Sequence, residues 1–260
     1  MYTLREILEK VAQNQVSVAE AEKLLRILAI DEIENVANID SHRELRKGVP
    51  EVILADGKDT EHLTEIVTKM LETRGRSIIS RCNPQQIEAI RAVIPSDALL
   101  QVFDDARMMV VQKKDFVVSA TGGKVGIITA GTSDIAVAEE AKIICKSMGC
   151  EVISSYDIGV AGIHRLIAPM KNMIMEDIDV LVVVAGREGA LPSVVAGIVD
   201  VPVIAVPTSN SYGLGEKGAS TLMAMLQSCS LGLAVVNIDS GVAAGAVATL
   251  IANRAAKFRT

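Results

Sequence analysis

Residues 124–148, KVGIITAGTSDIAVAEEAKIICKSM, decide the fold. An apolar run, VGIITA, gives way to a glycine and three small polar residues. Apolar positions at helical spacing follow in IAVAEEAKIICKSM. That is a strand, a tight turn and a helix, the first half of a βαβ unit. The pattern recurs toward the end of the chain. EVISSY, DVLVVVA, VPVIAVP and LAVVNI are further strand-length runs, separated by the helical stretches IHRLIAPMKNMIM, LPSVVAGIV and TLMAMLQS. Apolar strands joined by helix-length connections predict a parallel sheet of about five strands in a three-layer α/β/α domain. The ligand crevice of such a domain lies at the carboxyl ends of its strands. The loops to read are therefore AGTSD, DIGVAGIHR, AGREGALP, PTSNSYGLGEKG and NIDSGVAAG.

Upstream the chain has another character. Residues 1–120 carry 20 acidic and 16 basic side chains, residues 121–260 only 12 and 10. The change falls near SATGGK (119–124) and divides the chain into a domain over 1–120 and another over 121–260. The first opens with the helix LREILEKV, followed by a capping box, Ser17 to Glu20, that starts VAEAEKLLRIL. A strand in VPEVILADG, a helix in TEHLTEIVTKMLETRG ending at Gly75, a strand in RSIISRC and a capped helix in NPQQIEAIRAVI complete a small α+β module.

Composition removes several classes of function. With a net charge of −6 the chain lacks the basic face that nucleic acid needs, and it has no Trp and only three Tyr and three Phe for base stacking. No apolar run reaches membrane-spanning length, and MYTLREILEK interleaves charge where a signal peptide is apolar, so a cytoplasmic protein is expected. Cys82, Cys145, Cys150 and Cys229 form no CxxC pair, and His42, His62 and His164 have no ligand spacing. An all-protein metal cage is not expected. Mg²⁺ shared between carboxylates and phosphates remains open, with its ligands unassigned.

In AGTSD, Thr132 and Ser133 sit at a helix mouth suited to phosphate, and Asp134 is placed to accept from ribose hydroxyls; the plain alternative is a helix cap. His164 and Arg165 follow the second strand, where Arg165 suits a phosphate or carboxylate. Arg187 and Glu188, flanked by glycines, follow the third strand, and Glu188 is a candidate general acid/base. Tyr212, in a glycine-rich loop with the look of a flap, is one of the few side chains able to cover a ring. Cys229 lies where TLMAMLQS ends and LAVVNI begins, a junction read as adjoining the crevice. It is either a small buried hydrophobe, as Cys145 and Cys150 are read, or a nucleophile.

The order AGTSD, GIHR, AG…ALP, then VVNIDSGVAAGAVATLIA, resembles the aminoimidazole ribonucleotide carboxylases of purine synthesis over about residues 122–255. That resemblance implies a flavodoxin-like fold, an octamer or related assembly, a phosphate-holding SD loop matched at Asp134, and a proton-moving histidine matched at His164 beside Arg165. The chain departs from that family in AGREGALP, which lacks a second histidine and supplies Arg187 and Glu188, and in the cysteine of SCSLG. With RKGVPEVILADGKD (46–59), these features resemble a sister family over nearly the whole chain, the carboxylase/hydrolases of nickel-pincer nucleotide biosynthesis, the B family of lactate racemase maturation. The sister resemblance implies carboxylation at pyridinium C5 of nicotinic acid adenine dinucleotide and cleavage of its phosphoanhydride. The products are pyridinium-3,5-biscarboxylic acid mononucleotide and AMP. CO₂ is then a co-substrate, Mg²⁺ an expected aid to hydrolysis, and no tightly bound organic cofactor is expected. Cys229 is the expected nucleophile and Glu188 the base. Thr132, Ser133, Asp134, His164, Arg165, Arg187 and Tyr212 are the expected substrate contacts, in a homo-oligomer of four or eight copies. A purine-pathway carboxylase is the alternative, and a nucleotide-sensing protein without turnover a second. The polar side chains around PEVILA, from Arg46 to Asp59, suggest a segment bordering the site.

Overall fold

The computed structural model describes residues 4–31, 47–211 and 213–259. The chain divides into two compact units, Met1–Glu51 and Val52–Thr260, so both of its sheets lie in the second unit. In the first unit α1 (Leu4–Ala12) packs on α2 (Val18–Asp31). The expected capping box is present. Glu20 N–H donates to Ser17 Oγ at 3.2 Å, and Ser17 N–H donates back to Glu20 Oε2 at 3.1 Å.

The second unit begins with a four-stranded sheet, in the order β1-β2-β4-β3. Its strands are β1 (Val52–Leu54), β2 (Arg76–Ser80), β3 (Ala98–Phe103) and β4 (Met108–Lys113). Helices α3 (Thr60–Arg74) and α4 (Pro84–Val93) lie between the early strands. Leu63, Val67, Ile79, Ile90, Met109 and Val111 form the core of this module. Asp59 accepts from the N–H groups of Glu61 and His62 and caps α3, while Asn83 and Gln86 make the capping box of α4. The β3–β4 hairpin is an addition to the sequence reading, which stopped at α4. Its pairing runs from Ala98 opposite Lys113 to Phe103 opposite Met108.

The five-stranded sheet is parallel throughout, in the order β6-β5-β7-β8-β9. Its strands are β5 (Lys124–Thr129), β6 (Glu151–Ser155), β7 (Val180–Ala185), β8 (Val203–Pro207) and β9 (Leu233–Val235). This is the flavodoxin-like arrangement expected, with the order reversing between β5 and β7. Every residue of β7 is buried, as a central strand covered on both faces requires. One face carries α5 (Ile135–Ser147) and α9 (Gly241–Ala256), packed through Val137, Ala141, Cys145, Ala244 and Ala248. The other face carries α6 (His164–Met175), α7 (Ala190–Ala196) and α8 (Ala219–Leu226), packed through Leu166, Met173, Leu191, Val195 and Met225.

Small residues set how closely α5 and α9 approach. A Cβ on Gly241 would sit 2.1 Å from the Val137 carbonyl oxygen, so only glycine fits there. The GVAAG stretch is thus a helix-packing surface rather than a ligand loop. β2 ties the small sheet to this layer at both ends. At its start the Arg76 guanidinium donates to the Ser147 carbonyl at the end of α5, and just beyond it Arg81 donates to the Asp239 carbonyl.

Candidate active site

The crevice lies where the strand order reverses, at the carboxyl ends of β5 and β7. It is a cavity of about 430 Å³ lined by Gly131, Ser133, Asp134, Arg165, Arg187, Glu188 and Asn210 among others. That volume falls within the range of small-molecule sites. Topology explains the convergence, because each of these residues lies in the loop, or in the first turn of the helix, that follows the carboxyl end of a parallel strand.

Its floor is a buried hydrogen-bond network around Asp134, which is only 3% exposed. Oδ1 accepts from Thr208 Oγ1 at 2.7 Å and from Asn210 Nδ2 at 3.4 Å, and Oδ2 accepts from Gly131 N–H at 3.0 Å. Asn210 also donates to the Ser133 carbonyl at 2.7 Å. Both oxygens of Asp134 are engaged within the protein, so its first role is to hold the β5 and β8 loops together. Gly186 allows that closeness, since a Cβ there would lie 2.7 Å from Thr208 Oγ1. Thr132 and Ser133 form a turn of 3₁₀ helix leading into α5, whose first N–H groups have no intrahelical acceptor.

On the walls, the exposed Arg165 donates from Nη1 to Asp157 Oδ2 at 3.0 Å. Arg187 and Glu188 are exposed at its lip. Arg187 holds a left-handed backbone, φ 53°, and its carbonyl accepts from Ser211 and from the buried Thr221 hydroxyl. A strained conformation held by surrounding bonds fixes where Glu188 stands. Asp157 and Asp239, in the loops after β6 and β9, are left-handed as well.

His164 is exposed at the start of α6 and does not line this cavity. Tyr212 lies outside the described residues, as does Arg46. Of the polar residues after β1, Asp59 caps α3, and the backbone carbonyls of Ala55 and Lys58 accept from Gln86 Nε2.

Cys229 requires a correction. A helix-to-strand connection returns the chain to the amino end of the next strand, opposite the crevice. Gly232, just before β9, accepts from Val203 N–H at the start of β8, which places this connection at the amino edge. Its neighbours Ser228 and Ser230 are tied to Ser193 of α7. Cys229 is exposed and absent from the cavity wall, with Leu226 and Leu231 exposed on either side. The other three cysteines are buried. Burial pushes the Cys82 thiol up to about 11 and the Cys145 thiol up to about 12, and raises Cys150 as well. They are core residues, as expected of Cys145 and Cys150.

Among the described residues no three His, Cys, Asp or Glu side chains are grouped to hold a metal ion, and Asp134 is already committed to protein donors. Nor, among the described residues, is any helix long and apolar enough to cross a membrane.

Comparison with known proteins agrees with this architecture. Residues 30–114 match the LarB/PurE-like N-terminal domain, and residues 124–259 match AIR carboxylase. An uncharacterized protein of Methanocaldococcus jannaschii is 44% identical over 253 residues, covering 96% of each chain. An N5-carboxyaminoimidazole ribonucleotide mutase of the same organism is 32% identical over 117 residues, 44% of this chain and 69% of the relative. The corresponding mutase of Thermotoga maritima is 32% identical over 133 residues, 49% of this chain and 74% of the relative. The chain belongs to the family that places a LarB/PurE-like N-terminal domain ahead of an AIR carboxylase domain.

Proposed function

We propose that this enzyme carboxylates the pyridinium C5 of nicotinic acid adenine dinucleotide and hydrolyses its phosphoanhydride, giving pyridinium-3,5-biscarboxylic acid mononucleotide and AMP. The observation that carries the reading is the lip of the crevice. There a strained, glycine-flanked Arg187–Glu188 pair stands in an otherwise carboxylase-like site, with no histidine among the residues lining it. Arg165 and the first turn before α5 suit phosphate, and Asp134 orders the loops that carry them.

A pyridinium ring is electron-poor and does not attack CO₂. Addition of the Cys229 thiolate forms a carbon–sulfur bond and converts the ring to a neutral enamine, whose C5 bonds to CO₂. Glu188 then takes the C5 proton, and the returning electron pair expels the sulfur as thiolate and restores aromaticity. Water cleaves the phosphoanhydride to release AMP.

Cys229 does not reach the crevice of its own chain, so the reading requires it to come from a second copy. The exposed apolar residues around it, Met223, Leu226 and Leu231, support such a contact, and α6 exposes Ile167, Ile174 and Met175 as well. The active form is therefore a homo-oligomer in which the amino edge of one copy completes the crevice of another. The test is direct: incubate the protein with the dinucleotide, bicarbonate and Mg²⁺ and identify products by mass spectrometry. AMP together with a mononucleotide heavier by one carboxyl group is expected. Turnover of N5-carboxyaminoimidazole ribonucleotide instead, unchanged in Cys229→Ser, would assign the purine reaction.

A further inference from the structure

The N-terminal module does more than pack beside the catalytic sheet. Beyond β2, Arg81 adopts a left-handed backbone, φ 56°, and its Nη2 donates to the Asp239 carbonyl at 3.2 Å. Asp239 is itself left-handed, φ 53°. Its N–H donates to the Pro207 carbonyl at 2.9 Å, and its Oδ1 accepts from Ser209 N–H at 2.9 Å. Pro207 and Ser209 flank Thr208, whose hydroxyl donates to Asp134, and Asn210 follows with its bonds to Ser133 and Asp134. One continuous chain of bonds thus runs from the small sheet to the crevice floor. Two charged, non-glycine residues, Arg81 and Asp239, are held in a left-handed conformation where the modules meet.

We propose that Arg81 is a positioning residue: from the N-terminal module it fixes the Asp239 turn, and through Ser209, Thr208 and Asn210 it sets the substrate-holding floor around Asp134. Glu140 of α5 is the buried counter-charge of this contact. It accepts from the N–H groups of Val242 and Gly241 at the start of α9. Burial pushes its carboxyl up to about 7, while Arg81 draws it down and Asp239 raises it. Arg81 and Asp239 are the charged groups acting on it. When Glu140 ionises it gains attraction for Arg81, so the contact tightens as pH rises through about 7.

This inference rests on the crevice being the dinucleotide site, and the test separates the two. In the full-length protein, KM and kcat for nicotinic acid adenine dinucleotide are measured from pH 6 to 8.5, with thermal melts at each pH. Arg81→Ala should raise KM by about 10-fold with kcat nearly unchanged, as a small misplacement of binding groups does, and Arg81→Lys should recover part of the loss. Wild-type KM should fall as pH rises through 7, and Glu140→Gln should abolish that step. A folded Arg81→Ala protein with wild-type KM would overturn the proposal, as would a pH step that survives Glu140→Gln. Hydrogen exchange needs no substrate and tests the same point. Arg81→Ala should speed exchange in residues 130–134 and 207–211 while 180–185 stays protected. Unchanged exchange in those loops refutes the positioning role, whereas failure of the wild-type chain to turn over the dinucleotide refutes only the substrate.

Discussion

At the carboxyl edge of the five-stranded sheet, Gly131, Arg165, Glu188 and Asn210 converge on one crevice; at the amino edge, the connection carrying Cys229 opens to solvent beside Leu226 and Leu231. Both edges come from the same alternation of strand and helix. The carboxyl edge is held by buried side-chain bonds and left-handed residues, and its charged groups line the crevice. The amino edge holds the one exposed thiol, in an apolar setting. The difference teaches that one chain holds its crevice and its exposed thiol on opposite edges of the sheet, so the proposed chemistry needs a second copy to bring them together.

The largest effect expected is at that thiol. Cys229→Ser should leave stability within about 0.5 kcal/mol, as an exposed near-isosteric change does, and abolish carboxylation. Cys145 offers the contrast: it is buried with its Sγ 3.5 Å from the Gly245 carbonyl. Cys145→Ser should therefore lower Tm and leave kcat intact in the folded fraction. Equal loss of carboxylation in both variants, by product mass spectrometry and melting curves, would erase the distinction between the edges.

Asp134→Ala tests whether the crevice floor is structural before it is chemical. The change strips acceptors from Thr208, Asn210 and Gly131, and an unsatisfied buried donor costs about 1–3 kcal/mol. A clear fall in denaturation midpoint, together with weaker dinucleotide binding, is expected. Weaker binding at unchanged stability would instead support a carboxylate reserved for the ligand.

A smaller effect is expected at Glu140, seen only as a function of pH. Its folded-state pKa, about 7, exceeds the ordinary 4.5, so the folded protein binds this proton more tightly than the unfolded chain. The stability this gives is full below about 4.5 and is lost as pH rises through about 7. Between pH 5 and pH 8, Glu140→Gln should gain stability relative to wild type, by on the order of 3 kcal/mol at most. A melting-temperature difference that does not change with pH would show that burial of this carboxylate carries no such cost.

The alternation of VGIITA, DVLVVVA and VPVIAVP made the parallel sheet and its crevice loops legible, because strands buried on both faces must be apolar throughout. The β3–β4 hairpin escaped, although ALLQVF, the turn DDAR and MMVVQK lie in its sequence, because its apolar runs were not set against each other across the turn. Asp134 was legible as a crevice residue but not as a buried one, since its Thr208 partner lies 74 positions away. Nothing in AVAEEAKI distinguishes buried Glu140 from its neighbour, because Arg81 arrives from another sheet. The position of Cys229 could have been deduced: a residue after a helix and before a strand belongs to the amino edge.

The central claim is that Glu188 and Cys229 meet only between copies, and co-assembled variants test it most directly. Cys229→Ser and Glu188→Gln chains, each inactive alone, are co-expressed with different tags, and the mixed oligomers are isolated and assayed for the biscarboxylated mononucleotide. Random co-assembly should restore about one quarter of wild-type activity, because that share of shared sites takes an intact residue from each kind of chain. Mixed oligomers as inactive as their parents would contradict the claim and place both residues in one chain's own site.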